Sequence, residues 1–115
     1  MTKEEKQLLL KDLSARFPYE VIVNDGNETD ILAGYMLEDL MFIDEAIIRP
    51  YLRPMSSMTE EERKYYNSLS ILIADGECDV YEEMDWLNAH HFDYRGLIEK
   101  GLALEAPEGM YNKNE

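Results

Sequence analysis

The apolar residues of this chain change their spacing at Pro18. Before it, Leu9, Leu10, Leu13 and Phe17 recur at helical intervals; after it, Tyr19, Val21 and Val23 alternate with Glu20 and Ile22. The first spacing gives a helix one apolar stripe, and the second gives a strand one apolar face. Each must bury that surface against the other, so the period change predicts an α+β fold.

Local signals extend this reading along the chain. Thr2 and Glu5 form a capping box in which each side chain satisfies a free backbone N–H, predicting a helix over 2–16 that stops at Pro18. Asn24-Asp-Gly-Asn-Glu28 is a turn cluster in which Asp25-Gly26 supplies the positive φ of a tight hairpin. Thr29 to Met36 reads as the returning strand, with Ile31, Ala33 and Tyr35 on one side and Gly34 as a bulge. A break at Glu38-Asp39 then leads to a third strand, Leu40-Met-Phe-Ile43. These pieces predict a small antiparallel β-meander over about 19–43. Pro50 and Pro54 make Asp44 to Pro54 irregular.

Two further helices follow. Thr59 with Glu62 is a second capping box, its acidic first turn suited to the helix dipole, and Tyr65, Leu69 and Leu72 continue one face. Asp75-Gly76 breaks the pattern, and Asp79 caps a third helix over about 80–91 with Val80, Met84, Leu87 and His91 inward. Past Gly96 come a short turn, an extended C-terminal arm that ends at Pro107-Glu-Gly109, and a frayed tail from Asn112 to Glu115. The expectation is one domain over 1–115, with Leu13, Val21, Tyr35, Phe42, Leu69, Met84 and Leu87 in a common core.

Charge narrows the function classes. The 115 residues hold 25 Asp and Glu against 11 Lys and Arg, a net charge of −14. A field of that sign repels phosphate backbones, which argues against direct nucleic-acid binding, and it attracts basic protein surfaces. No apolar run approaches membrane-span or signal-peptide length, so the chain reads as cytoplasmic. A lone cysteine, Cys78, excludes an internal disulfide and a four-cysteine zinc site. Its neighbours Glu77 and Asp79 oppose an activated thiolate.

No phosphate-binding glycine loop, Gly-x-Ser-x-Gly or His-Glu-x-x-His motif is present. Asp75-Gly-Glu-Cys-Asp79 suggests a calcium loop, but the sixth and twelfth positions from Asp75 are Val80 and Trp86, where Gly and Glu are needed. The same count from Asp25 reaches Asp30 and Met36 and fails too. His90-His91 with Asp93 invites a metal-dependent hydrolase, yet adjacent helical residues diverge by about 100° and cannot easily grip one ion. No cofactor and no metal site is expected. Ser56-Ser57 precedes a helix start, but Glu60-Glu61-Glu62 disfavours an anion there. Arg49, Arg53 and Arg95 are suited to specific ion pairs in so acidic a chain.

The stretch Trp86-Leu-Asn-Ala-His-His-Phe-Asp-Tyr-Arg-Gly-Leu-Ile-Glu-Lys-Gly-Leu-Ala-Leu-Glu-Ala-Pro-Glu-Gly-Met-Tyr111 and the block Tyr51-Leu-Arg-Pro-Met-Ser-Ser-Met-Thr-Glu-Glu-Glu62 together cover about a third of the chain. In these blocks it resembles a family of small uncharacterised proteins from gut Bacteroides genomes, their prophages and other mobile elements. The resemblance brings no activity. It implies an accessory protein of bacterial or phage origin.

Tyr51, Tyr65, Tyr66, Tyr81, Trp86, Tyr94 and Tyr111 together exceed what so small a core can hold, and some should reach the surface as binding anchors. Tyr81, Trp86 and His90 fall off the core stripe of the third helix. With Glu77, Asp79, Glu82 and Glu83 they form the expected contact patch for a basic protein partner. The leading expectation is therefore a non-catalytic acidic protein that binds another protein and could interfere with a basic nucleic-acid-binding surface. The rivals are a small metal-dependent hydrolase using His90, His91 and Asp93, or a minor phage structural component; the oligomeric state is left open. Convergence of those three side chains in a cleft separates the enzyme reading from the binder.

Overall fold

A computed structural model describes residues 1–111; the frayed tail expected at 112–115 lies outside the described residues. Helix α1, Lys3–Arg16, starts at the expected capping box, with the Thr2 hydroxyl accepting from Glu5 N and the Glu5 carboxylate from Thr2 N. A short 3₁₀ turn, Phe17–Tyr19, and a left-handed Glu20 (φ 55°) carry the chain into strand β1, Ile22–Asn24. Tyr19 therefore belongs to the turn, and the strand begins three residues later than the alternation predicts.

β1 pairs antiparallel with β2, Thr29–Ile31, placing Ile22 opposite Ile31 and Asn24 opposite Thr29. Asp25 holds the turn by accepting from Asn27 N and Glu28 N through one carboxylate oxygen, and Gly26 takes the required positive φ of 99°. The meander then fails. Gly34–Phe42 is a helix, α2, where the sequence suggested the rest of one strand and all of another. Leu32, Met36 and Leu40 explain it. Spaced by four, they are the residues this segment buries, whereas Tyr35 and Phe42 point to solvent at 59% and 77% exposure. A helical period was present, and the shorter alternation of Ile31, Ala33 and Tyr35 masked it. Gly34 is the first helical residue and no bulge.

The strand that completes the sheet is β3, Arg49–Leu52, in the segment expected to be irregular. Its Pro50 sits opposite Val23 of β1. Proline is costly in an inner strand because it lacks a donor. Here the two flanking pairings are staggered: β1 covers Arg49 and Pro50, and β4, Leu104–Glu105, covers Tyr51 and Leu52. Pro50 thus has one neighbouring strand. The β3–β4 pair is parallel, so the sheet, ordered β2-β1-β3-β4, is mixed where an antiparallel one was expected. The α+β class stands, with four α-helices among the described residues where three were expected.

The connection from β3 to β4 carries α3, Glu60–Ala74, and α4, Val80–Ala89. Thr59 and Glu62 close the second capping box, and Asp79 caps α4 by accepting from Tyr81 N and Glu82 N. Between them Gly76, at φ 79°, ends α3 with the 77-to-72 backbone bond of a Schellman turn. The helix expected over 80–91 stops at Ala89, because His91 turns left-handed at φ 63°.

The main core packs Leu9 and Leu13 of α1 and Met36 and Leu40 of α2 with Val21, Val23 and Leu52 of the sheet region, closed by Leu97 and Leu102. Leu69, Leu87 and Phe92 are buried outside this cluster, beneath the α3–α4 pair. Of the expected core, Leu13, Val21, Leu69 and Leu87 are buried and Met84 is half-buried; Val80 on the supposed inner face of α4 is exposed.

Candidate functional site

The α3–α4 hairpin carries all the expected contact residues, and the fold sorts them into two groups. Glu77, Asp79, Tyr81 and Glu82 are exposed around the start of α4, with Tyr81 at 73%. Glu83, Trp86 and His90 recur at three- and four-residue intervals along another side of α4 and are half-buried. Trp86 is the centre of an aromatic cluster, its ring 5.3 Å from Tyr65, 6.1 Å from Tyr66, 4.7 Å from His90 and 5.7 Å from Phe92 between centroids. Such ring pairs add stabilisation beyond their buried area. Trp86 therefore fastens α3 to α4 and to the body of the protein, and Tyr81 is the aromatic side chain of α4 left open to a partner.

Helix α3 is thinly held. Its fifteen residues bury one apolar side chain, Leu69, while Tyr65, Ile71 and Leu72 are exposed. Helical periodicity puts Tyr65 and Leu72 together along one flank of α3, with Ile71 on the outer face. Tyr81 lies on the side of α4 turned from the Trp86–His90 row that meets α3. Carboxylates of Glu77, Asp79 and Glu82 surround the hairpin tip, so apolar side chains are set in a negative field.

Cys78 belongs to this tip. Its thiol donates to Glu82 Oε2 at 3.1 Å, and that hydrogen bond, with burial and the charges of Glu82 and Asp79 adding to it, pushes its pKa up to about 11. Of the two neighbours named from the sequence, Asp79 contributes to this shift, and Glu82, one turn further on, is its larger cause.

At the other end of the hairpin a cleft of about 800 Å³ opens between Arg53, Glu62, His90 and the Pro107-Glu-Gly109 turn. Arg53 donates two hydrogen bonds to Glu62, at 2.9 and 2.6 Å, and holds its carboxyl below the usual range. His90 Nδ1 lies 3.7 Å from the same carboxylate. Burial lowers the His90 pKa, with Glu62 opposing the shift and Arg53 adding to it. The Arg53 guanidinium also sits 4.2 Å over the Phe92 ring.

His90, His91 and Asp93, the trio of the hydrolase reading, do not converge. His91 stacks on Tyr111 with centroids 3.7 Å apart. Asp93 accepts from Leu97 N at 2.8 Å and Ile98 N at 3.0 Å, closing the turn before the C-terminal arm. Among the described residues, no group of three or more His, Cys, Asp or Glu side chains is placed to hold a metal ion. No helix of the described residues is long and apolar enough to cross a membrane.

Of the arginines expected to pair, Arg53 meets Glu62 and Arg95 meets Asp12 at 3.0 Å; Arg49 is exposed and makes no ion pair among the described residues. Sequence reasoning missed the partner of Arg95. Asp12 and Arg16 lie one turn apart on α1, three residues beyond Leu9 and Leu13, and are wholly buried. That spacing was the available signal, since both charges continue the apolar stripe. Tyr111, by sequence no more than a surplus aromatic, has a structural task. Its hydroxyl accepts from Ile22 N at 2.9 Å and donates to Tyr51 O at 2.7 Å, tying the C-terminal arm to the sheet, and burial pushes its pKa to about 12.

Comparison of the chain with protein-family models, with curated proteins and with solved structures finds no match.

Proposed function

We propose that the chain is a non-catalytic accessory protein, of bacterial or phage origin and cytoplasmic, that binds another protein through the α3–α4 hairpin. One observation carries the reading: Leu69 is the one wholly buried apolar residue of α3, and Ile71 and Leu72 stand in solvent near an acidic tip, with Tyr65 half exposed against Trp86. An isolated helix of this length is marginal in water unless packing supports it. A partner that covers the exposed flank supplies that packing. Tyr81 is the anchor, and the exposed Glu77, Asp79 and Glu82 steer a basic surface toward it. Competition for a basic nucleic-acid-binding site follows from the same charge, without contact to nucleic acid by this chain.

The scatter of His90, His91 and Asp93 over three separate tasks supports a binder over a hydrolase. Capture from a native host with the wild-type chain and with a Leu72→Asp/Tyr81→Ala variant tests the reading. A captured protein with a basic contact surface, lost by the variant and at high salt, is the expected result. A partner held equally by both chains would place the functional contact elsewhere.

A further inference from the structure

A second surface lies at the opposite end of α1. Lys3, Lys6, Gln7 and Leu10 recur at three- and four-residue intervals along one face of this helix, and Met41 and Phe42 from the last turn of α2 stand across from them. With Asp44 and Ala46 they line an open groove of about 550 Å³. Phe42 is 77% exposed at its edge, and Met41, Ile43 and Ile47 nearby are each close to half exposed. Monomeric surfaces scatter single apolar residues; a run of four large ones beside a groove marks an interaction site.

Charge selects the occupant. The chain carries −14 overall, yet this lining has two lysines against one aspartate, Asp44. Neither Lys3 nor Lys6 makes an ion pair among the described residues, and the nearby Glu5 carboxylate is engaged by the Thr2 backbone N–H. The lysine stems extend the apolar wall while their ammonium groups sit at the rim. The α1 wall of the groove, from Lys3 to Leu10, is about 10 Å long, which matches two turns of another helix. A second copy of the chain is disfavoured by the repulsion of two bodies of the same large negative charge.

We infer that this groove docks one amphipathic helix of a partner protein, with an apolar stripe against Leu10, Met41 and Phe42 and carboxylates at its border facing Lys3 and Lys6. The surface is separate from the α3–α4 hairpin. Asp12 and Arg16, near the other end of α1, are what meet Arg95 and Phe92, and Lys3 to Arg16 spans about 20 Å. The protein then has two docking ends of opposite local preference and can bridge two proteins.

Two stapled helical peptides of about fourteen residues test this, sharing one Leu/Phe stripe and bordered either by glutamates or by lysines. Binding to the full chain is read by fluorescence anisotropy at physiological salt, and only the part that Phe42→Asp removes counts as groove binding. The glutamate-bordered peptide should bind, and Phe42→Asp or Lys3→Glu/Lys6→Glu should each weaken it about tenfold or more. Circular dichroism and the melting temperature should not change, since these side chains reach solvent. Absent binding, binding that survives Phe42→Asp, or an equal or better fit of the lysine-bordered peptide overturns the inference. So does a Phe42-dependent affinity for oleate without peptide binding, which assigns the groove to an acyl chain. A dimer in sedimentation equilibrium that Phe42→Asp dissolves would assign the groove to a second copy and overturn it as well.

Discussion

Asp12 and Arg16 pair at 2.8 Å one helical turn apart with both side chains wholly buried, and Arg95 donates to the same carboxylate at 3.0 Å. Arg16 also donates to Phe92 O at 2.7 Å, and the guanidinium groups of Arg16 and Arg95 both lie over the Tyr94 ring, 5.1 and 4.9 Å from its centroid. One carboxylate therefore joins α1 to the segment that follows α4. Burial of charge carries a large desolvation cost, so this cluster specifies where the segment docks more than it stabilises the fold.

Removing one member should be severe. Asp12→Ala leaves Arg16 buried without its counter-charge and should lower stability by about 3–5 kcal/mol in urea denaturation. The triple change Asp12→Leu/Arg16→Met/Arg95→Met, which removes every charge of the cluster, should lose less than Asp12→Ala alone. A triple variant weaker than the single one would show that the cluster is strongly net stabilising.

The revised core gives a second expectation. Leu87→Ala and Leu69→Ala empty space beneath the hairpin and should each cost about 2–5 kcal/mol. Tyr35→Ser and Phe42→Asp, at positions that the strand reading puts in the core, should stay within about 0.5 kcal/mol of wild type. Thermal melts of the four variants separate the helical reading of 34–42 from the strand reading. A large loss at Tyr35 or Phe42 would restore the strand.

What the chain disclosed in advance, and what it hid, follows from the range of the interactions. The helix starts at Thr2, Thr59 and Asp79 and the turn at Gly26 depend on residues within three positions, and all four were legible. Residues 34–42 were not, because Ile31, Ala33 and Tyr35 suit a strand as well as Leu32, Met36 and Leu40 suit a helix; packing against α1 decides. Strand β3 was hidden by Pro50, whose single paired neighbour depends on how β1 and β4 are staggered. The exposure of the proposed contact residues was half legible. That Tyr81 and Glu82 face solvent followed from α4 alone, but the inward turn of Trp86 depends on Tyr65, Tyr66 and Phe92, which other segments supply.

Acid should weaken the protein through Glu62. Its folded pKa is lowered from the usual 4.5, chiefly by the hydrogen bonds from Arg53. A lowered folded value contributes stability that is present above the unfolded pKa and lost as pH falls through the folded one. His90 acts in the same direction at higher pH: its folded pKa lies below the usual 6.5, so protonation favours the unfolded chain as pH drops past that value. Melting temperatures between pH 7 and pH 3 should fall, and Glu62→Gln should flatten the part below about pH 4.5. An unchanged profile in that variant would remove Glu62 from the account.

Cys78 should react slowly. A pKa of about 11, against an ordinary 9.0, leaves about a hundredfold less thiolate at pH 8. Iodoacetamide alkylation followed by mass spectrometry should therefore be slower than for a free cysteine peptide. Glu82→Gln, which removes both the charge and the carboxylate acceptor of the Sγ–H bond, should accelerate it. Rates that match the peptide would mean the Cys78–Glu82 bond is not kept in solution.

The division of labour along α4 yields the last expectation. Once a basic partner is in hand, Glu77→Lys/Glu82→Lys should mainly slow association, and added salt should do the same, because steering between exposed charges is screened over about 8 Å at physiological ionic strength. Tyr81→Ala should mainly speed dissociation, since the phenol ring is the open anchor and its loss leaves the fold unaltered. Trp86→Ala should behave differently from both. It removes the ring shared by Tyr65, Tyr66, His90 and Phe92, so it should lower the melting temperature and loosen α3 in hydrogen exchange before any partner is added. Paired measurements of kinetics and exchange on Tyr81→Ala and Trp86→Ala distinguish an anchor from a support. If Trp86→Ala sped dissociation with no change in exchange, Trp86 would itself be the contact, and the aromatic cluster would open on binding.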